Sequence, residues 1–517
     1  MRHLILLVLF FAAMADASPA NVIRHPGVGV EGEYMVVLQD QAATEGVPGV
    51  ARSLAATYNV SIHTIWQYSL RGFLCHGPEQ NINAMAGDPR VKFIEQNFVT
   101  GAPQPRMSAM QYTSFNNEYQ WHLDRVDELS IANLDGQHNM CTEGRTVYAY
   151  VIDSGVQSDH PQFETPTRVV ESLDFSPERS SPSTTVFSND LTNGCTTGAN
   201  TTNPSFWHGT AVASVLAGTQ VGVAKTQIIS LKVARCDSKI VLTADLIDAV
   251  EWIADPNLNT HLGEPGVVNH SGYVPKWRDD TDPSGSDFSA YSQAVANLVT
   301  ETDMPFFTSA DNFSADACEF APNDRAHTNF MSGTVFVVGG SSASDSSSDT
   351  NDYRWQNATS SVPDIGLDSG SNAGECVSIY APANDIYAAR HSAYETVYGV
   401  LYDWADGTSF SSPLVAGIAA RYIEKQIAQT STKPSAVAVY NWLLGNASAT
   451  VYNVQTPEYW YCHEGTDPTE TYRSDPGNCS STRIGQTGLG TAAFHFPSVS
   501  NDSGAEMVYW DEGYCPP

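Results

Sequence analysis

Between residues 147 and 444, short apolar stretches alternate with stretches of helical periodicity, and this alternation restricts the fold more than any other feature of the chain. Residues 147–152, 227–233, 266–268, 305–308 and 334–338 read as strands, and residues 211–216, 243–253, 408–424 and 435–444 as helices. Strands that alternate with helices predict an α/β fold, a doubly wound, mostly parallel sheet with helices on both faces. Ligands of such sheets bind beyond the carboxyl ends of the strands. Two stretches interrupt the pattern: residues 180–206 are rich in Ser, Thr, Asn and Gly, and residues 341–352 are nearly all Ser and Asp. Both read as exposed loops.

A different pattern precedes this one. Residues 33–39 read as a strand, 50–58 as a helix, 62–75 as a strand pair, 81–86 as a helix and 91–95 as a strand. That order predicts a small α+β unit of the β-α-β-β-α-β, ferredoxin-like type. The polar stretch 101–117 reads as a linker. From about residue 449 to 517 the alternation weakens, Tyr, Trp and Gly dominate, and three cysteines appear. This part reads as a disulfide-tied C-terminal extension.

The chain begins with Arg2 and His3, an uninterrupted apolar run from Leu4 to Ala13, and the small-x-small group Ala15-Asp16-Ala17. These are the parts of a secretory signal peptide, residues 1–17, too short to span a membrane. No later segment approaches about 18 apolar residues, so the expected product is soluble, secreted and extracellular. Nine cysteines suit an oxidising compartment. Cys75 stands early and alone, and the other eight allow four disulfides. No Cys-x-x-Cys spacing occurs, which argues against a metal site built on thiolates. The net charge of −32, from 57 acidic and 25 basic residues, argues against nucleic acid or an anionic membrane as partner. Part of the acidity offers hard oxygen ligands for calcium. Asn-x-Ser/Thr sequons at Asn59, Asn200, Asn357, Asn446, Asn478 and Asn501 predict a glycoprotein.

Three positions carry the chemistry. Ser409 stands just ahead of the small apolar run from Leu414 to Ala420, which reads as a buried helix. A hydroxyl in a helix's first turn lies near free N–H groups and the positive end of the dipole. Asp153 ends the strand 147–152 and is followed by Ser154-Gly155, a turn that holds a carboxyl rigidly at the sheet's edge. His208 opens the segment Trp207-His208-Gly209-Thr210-Ala211-Val212-Ala213-Ser214, whose small residues let a helix pack closely on the sheet. Acyl transfer by a serine needs a base, a carboxyl to orient the base, and donors for the oxyanion.

These segments resemble the subtilisin-like serine proteases. Gly407-Thr408-Ser409-Phe410-Ser411-Ser412-Pro413 is similar to that family's serine signature, and His208-Gly209-Thr210-Ala211-Val212-Ala213-Ser214 to its histidine helix. The order Asp…His…Ser is that of subtilisin. The resemblance covers roughly residues 34–444 and implies a subtilisin-like fold in which Asp153, His208 and Ser409 form the triad. Asn312, in Ala310-Asp311-Asn312, stands where the family has its oxyanion asparagine. It heads an Asn-Phe-Ser sequon and is expected to carry no glycan. The Asn269-His270-Ser271 sequon falls on an expected buried strand. Arg71-Gly72-Phe73 and Asp88-Pro89-Arg90-Val91 resemble the family's propeptide, so the resemblance implies a self-processing zymogen whose propeptide assists folding and blocks the site. The domain order is then signal peptide 1–17, propeptide 18–105, catalytic domain 106–448 and extension 449–517.

Departures from the family bear on specificity. Asp311 replaces the glycine before the oxyanion asparagine. Facing the specificity pocket, its charge would favour a basic residue at P1; pointing into a hydrogen-bonded turn, it would not. Val268-Asn269-His270-Ser271-Gly272-Tyr273 stands where the family presents a substrate-pairing edge, and only Ser271 and Gly272 match it. Around Cys236, Cys318 and Cys376 the chain looks like the proteinase K-like branch, which implies Cys195–Cys236 and Cys318–Cys376 disulfides. Cys141, Cys462, Cys479 and Cys515 leave three pairings open. The resemblance implies no catalytic cofactor and a structural calcium whose ligands the sequence does not assign. It implies protein or peptide substrates, the chain's own propeptide as intramolecular inhibitor, and a monomer. The alternative reading is a secreted binding or regulatory protein on the same fold that cleaves only its own propeptide; a third is an exopeptidase with a closed cleft.

Overall fold

The computed structural model describes residues 20–101, 106–107, 120–128, 131–138, 140–164, 166–176, 188–189, 208–235, 240–276, 289–328, 331–343, 352–355, 370–390 and 401–447, together with the backbone of four strands between residues 451 and 496. The expected signal peptide lies outside them.

The N-terminal unit runs β1 (Asn21–Ile23), β2 (Gly29–Leu38), α1 (Asp40–Thr44), α2 (Val47–Tyr58), β3 (Ser61–Trp66), β4 (Gly72–His76), α3 (Glu79–Met85) and β5 (Val91–Gly101). Its strands lie in the order β1-β5-β2-β4-β3. The expected elements are all present, with β1 and α1 added before and within them. Helix α2 forms because Val47, Val50, Ala51, Leu54 and Ala55 recur at helical spacing and are buried, and it stops at Asn59 in the left-handed region. Five consecutive residues of β2, Tyr34 to Leu38, are buried. The continuous apolar run is explained by cover on both faces. Tyr34, Val36 and Leu38 pack with Leu54, Phe73 and Ile82 in the unit's own core. Met35 and Val37, with Trp66, Leu74, Phe93 and Phe98, belong to the core of the rest of the chain. Cys75 is free and buried in the smaller core, and burial pushes its thiol up to about 12, so it behaves as a small apolar side chain.

The larger unit contains β6 (Arg106–Met107), α4 (Trp121–Asp127), β7 (Tyr148–Asp153), β8 (Val169–Asp174), β9 (Ser188–Asn189), α5 (His208–Ala217), β10 (Gln227–Lys232), β11 (Ile240–Leu242), α6 (Thr243–Ala254), β12 (Gly266–His270), β13 (Val274–Pro275), α7 (Ala290–Thr302), β14 (Phe306–Ser309), β15 (Phe320–Ala321), β16 (Val335–Ala343), β17 (Asp352–Arg354), β18 (Ile379–Pro382), β19 (Ile386–Ala389), β20 (Tyr402–Asp406), α8 (Thr408–Thr430) and α9 (Ala436–Gly445). Strands β8, β10, β7, β12, β14 and β16 lie side by side and parallel, and β18 pairs parallel with β16. The chain passes from β7 to β8 and β10 on one side, then crosses to β12 on the other. Strand β7 therefore sits where the winding reverses, the place at which such sheets open a crevice at their carboxyl ends.

The expected strands and helices of this unit occur within a few residues of their predicted bounds. Two sequence expectations need correction. Residues 341–352 are not an exposed loop throughout: Ser341 to Ala343 extend β16, Asp352 to Arg354 form β17, and the two pair antiparallel with Ser341 opposite Arg354. Ser341 is fully buried; paired backbone on a covered sheet outweighs the polarity of the side chains. The linker 101–117 also contains strand: Gly101 ends β5, and Arg106 and Met107 pair with β20. Of residues 180–206 only β9 is described, and it pairs antiparallel with β8. Helix α7 was missed, although Ser289 caps it by accepting the Ser292 N–H.

After α9, β21 (Val451–Tyr452) adds to the large sheet beside β17. Strands β22 (Tyr459–His463), β23 (Thr471–Arg473) and β24 (Ala492–Phe496) form a separate antiparallel sheet in the order β23-β22-β24.

Candidate active site

The last residue of β7, Asp153, and the first of α5, His208, meet at the carboxyl end of the sheet. His208 Nδ1 lies 2.9 Å and 3.0 Å from the two Asp153 carboxyl oxygens, and the Ser154 N–H donates to Oδ1 at 2.6 Å. Both side chains are fully buried. The close approach requires glycine at 209, because a Cβ there would lie 2.4 Å from the Gly155 carbonyl oxygen and 3.1 Å from Asp153 Oδ1. The Gly209 N–H donates to Ser154 Oγ, and the Gln157 N–H to Thr210 Oγ1, so the residues flanking the aspartate and the histidine are tied to each other. His208 Nε2 is buried and has no hydrogen-bond partner among the described residues.

Ser409 occupies the first turn of α8, which opens at Gly407. It keeps 6% of its surface exposed. The ring of its neighbour Phe410 lies 5.9 Å from the His208 ring, so the first turn of α8 adjoins the start of α5. The Ser409 carbonyl accepts from Ser271 Oγ at 2.8 Å. Ser412 Oγ donates to Asn269 Oδ1 at 2.7 Å, and Asn269 Nδ2 donates to Ser271 Oγ at 3.0 Å. These bonds fasten the start of α8 to the end of β12. Asn269 is fully buried in β12, as expected of that sequon. Its structural part in the site went unread, because its partners are 143 residues away in Ser412 and two away in Ser271.

Asn312 lies just beyond β14. Its Oδ1 accepts from the Thr408 N–H at 2.9 Å and from Thr408 Oγ1 at 2.8 Å. This fixes the amide with Nδ2 toward Gly407, beside the first turn of α8. The loop that carries it is held by Asn372, whose Oδ1 accepts the Phe313 and Ala315 N–H groups, and by the Cys318–Cys376 disulfide. Cys141 is disulfide-bonded as well. The expected Cys195–Cys236 pair lies outside the described residues, and so do the side chains of Cys462, Cys479 and Cys515, whose pairings with Cys141 and one another the sequence leaves open.

The remaining site expectations fall as follows. Ser271 is buried and its hydroxyl is engaged by Ser409; Gly272 follows it past the end of β12. Asp311 precedes Asn312 with φ at 78°, in the left-handed region that favours glycine. It is 4% exposed, accepts from Ser309 Oγ at a long 3.4 Å, and burial raises its carboxyl well above the usual range. Its backbone carbonyl accepts the Asn372 N–H. His160 is buried, and its Nδ1 accepts the Gln162 N–H at the start of a short turn. Apart from these groups, Asp124, Glu128 and Asp135 bring one carboxyl oxygen each to within 4.8 Å of one another, an all-oxygen set of the type that suits a hard cation.

Residues 144–470, well over half of the chain, match the family model described as Peptidase S8, subtilase family. The chain is 25% identical to alkaline serine exoprotease A of Vibrio alginolyticus over 94% of its own length and 79% of the relative's. It is 22% identical to the extracellular serine proteinase of Thermus sp. (strain Rt41A), over 84% and 92%, and 23% identical to proteinase R of Parengyodontium album, over 78% and 82%. The crystal structure of a cold adapted subtilisin-like serine proteinase aligns with 64% of this chain and 92% of its own at 26% identity and a TM-score of 0.44. The match over residues 144–470 makes the chain a member of the subtilase family, a subtilisin-like serine endopeptidase.

Proposed function

We propose that the chain is a secreted, self-processing endopeptidase that cuts peptide bonds through Asp153, His208 and Ser409. The observation that carries this reading is the Asp153–His208 contact at the start of the Ser409 helix, with His208 Nε2 free of any partner among the described residues. Asp153 accepts from the Nδ1–H, which leaves Nε2 as the basic nitrogen. His208 Nε2 takes the Ser409 proton as Oγ bonds to the scissile carbonyl carbon. The oxyanion accepts from Asn312 Nδ2 and the Ser409 N–H. The C–N bond then breaks as His208 passes its proton to the leaving amine, and water repeats the sequence on the ester.

The N-terminal unit suits an intramolecular inhibitor. Glu251 on α6 accepts the N–H groups of Gln67, Tyr68 and Ser69, and Asp248 accepts from Trp66 Nε1 at 2.6 Å. Residues 99–101 of β5 pair antiparallel with β11, and Arg106 and Met107 pair with β20, the strand that leads into Ser409. The chain between Gly101 and Arg106 thus links a strand on α6's side to the strand next to the serine. Extracellular action is supported by the Thermus relative, which is named extracellular, and no helix among the described residues is long and apolar enough to cross a membrane. The likeness to proteinase R supports the proteinase K-like branch. Asp124, Glu128 and Asp135 are the residues that would hold a structural calcium.

The test mixes the secreted protein with unfolded casein, with and without a serine-directed phosphonate, beside Ser409→Ala. Peptide release that stops on labelling or mutation supports the reading. Self-cleavage with an inert mature form would instead establish the binding-protein alternative.

A further inference from the structure

The crevice beside Ser409 has two walls, and one carries a histidine that the triad does not use. Strands β12 and β14 are parallel neighbours, with His270 opposite Thr308. Beyond their carboxyl ends the chain separates into segments 271–273 and 311–313, which meet again where the Tyr273 and Phe313 rings pack edge to face at 5.2 Å. Ser271 and Asn312 close the other end by binding Ser409 and Thr408. His270 is the last residue of the first wall's strand.

Its orientation is fixed from behind. Nδ1 lies 3.0 Å from the hydroxyl of Tyr291, the second residue of α7, and the two rings meet edge to face at 5.5 Å. Tyr291 is fully buried, and burial holds its hydroxyl well above the usual range, so it keeps its proton and is able to donate it to Nδ1. Burial also lowers His270 to about 4, so the ring is neutral at neutral pH. A neutral imidazole that accepts at Nδ1 carries its hydrogen on Nε2. Nε2 points at Gly272: a Cβ there would lie only 2.8 Å away, so this wall stays open to the N–H only with glycine at 272. The ring lies close enough to the triad to feel the charges of Asp153 and His208, and His270 keeps 4% of its surface exposed.

We propose that His270 is a specificity-determining residue of this endopeptidase: held in one tautomer by Tyr291, it presents an N–H at the Gly272 wall of the crevice and selects peptides carrying an oxygen acceptor on the side chain that lies there. The inference rests on the endopeptidase reading. A buried donor discriminates because a substrate without an acceptor leaves the N–H without a partner. Tyr291 acts through His270 and is a positioning residue.

The experiment profiles cleavage by the mature wild type, His270→Leu, His270→Gln and Tyr291→Phe on a peptide library that varies one position at a time. The readout is the ratio of kcat/KM for Gln or Glu over Leu. In the wild type one subsite favours Gln or Glu; that ratio falls about tenfold in His270→Leu and returns toward wild type in His270→Gln, whose amide replaces the N–H donor. Tyr291→Phe lowers the ratio at the same subsite, since it frees the tautomer while removing one oxygen. Ratios equal to wild type in His270→Leu, or lowered alike at every position, overturn the proposal. Should His270→Leu not fold, Tyr291→Phe decides, and an unchanged profile there overturns it. Absence of hydrolysis by the wild type overturns both this inference and the endopeptidase reading, whereas hydrolysis with an unaltered profile overturns this inference alone.

Discussion

Two aspartates stand at the carboxyl end of the same parallel sheet, and their surroundings give them opposite characters. Asp153 ends β7 and is met by donors: His208 Nδ1 reaches both its oxygens, and the Ser154 N–H reaches one. Among the described residues, the carboxyl of Asp311, two residues past β14, has only the Ser309 hydroxyl at 3.4 Å. Burial is the larger influence on Asp311 and raises its carboxyl well above the usual range, which favours the protonated form. Position at the end of a strand therefore does not set an aspartate's character; the donors that converge on it do. A carboxyl whose charged form is disfavoured by burial is poorly suited to pair with a basic P1 side chain, which favours the hydrogen-bonded turn over the charged pocket.

The sharpest way to break this comparison is to remove the charge from each in turn. Asp153→Asn replaces one of the two carboxyl acceptors by an NH2 donor and no longer fixes the His208 tautomer, and kcat should fall by about 10⁴. Asp311→Asn should lower kcat/KM by less than about tenfold on Phe and Arg P1 peptides alike, as expected of a group that does not pair with a charged side chain. Steady-state kinetics on matched peptides read both, and comparable losses in the two variants would end the distinction.

The asparagine next to Asp311 sharpens it further. Asn312 differs from Asp311 in being anchored by two bonds from Thr408 to its Oδ1, the arrangement that the proposed oxyanion role of Nδ2 requires. Asn312→Ala should lower kcat by about 10² to 10³ with little change in KM, since the donor acts in the transition state. The same residue heads a sequon, and mass spectrometry of the active protein should find it without sugar. A glycan on Asn312 in active enzyme, or an unaltered kcat in the alanine variant, would remove it from the oxyanion site.

What the sequence made legible was what short segments encode. Asp153, His208, Ser409 and Asn312 each sit in a local run whose neighbours explain them: the small residues after His208 let α5 approach, and Gly209 is demanded by the Gly155 carbonyl. The alternation of strands and helices likewise fixed the sheet. Contacts across the fold were not legible. The Ser271–Ser409 bond joins residues 138 apart and the Ser412–Asn269 bond residues 143 apart. His270 meets Tyr291 on α7, a helix whose small and polar residues hid its periodicity. The loop read at 341–352 failed for a related reason. Serine is a weak strand former, yet Ser341 lies between β17 and β18, and that pairing decides its conformation.

The smallest predicted effect isolates the charge of Asp311 in stability rather than in rate. Asn tolerates the left-handed backbone nearly as well as Asp, so Asp311→Asn keeps the conformational cost of φ 78° and removes only the titrating group. In the unfolded chain the carboxyl loses its proton near pH 3.9. In the folded chain burial keeps it protonated to higher pH. Above about pH 4 the native state therefore binds more protons than the unfolded state, and wild-type stability falls as pH rises, by at most about 1.4 kcal/mol per pH unit. Below about pH 4 both states are protonated and this dependence vanishes. The stability of Asp311→Asn relative to wild type should accordingly be flat at acid pH and grow as pH rises above about 4. Denaturant unfolding in a Ser409→Ala background, where self-digestion is absent, measures the difference directly. A difference that stays constant across that range would mean that Asp311 is ionised in the folded protein, and the contrast with Asp153 would have to rest on hydrogen-bond donors alone.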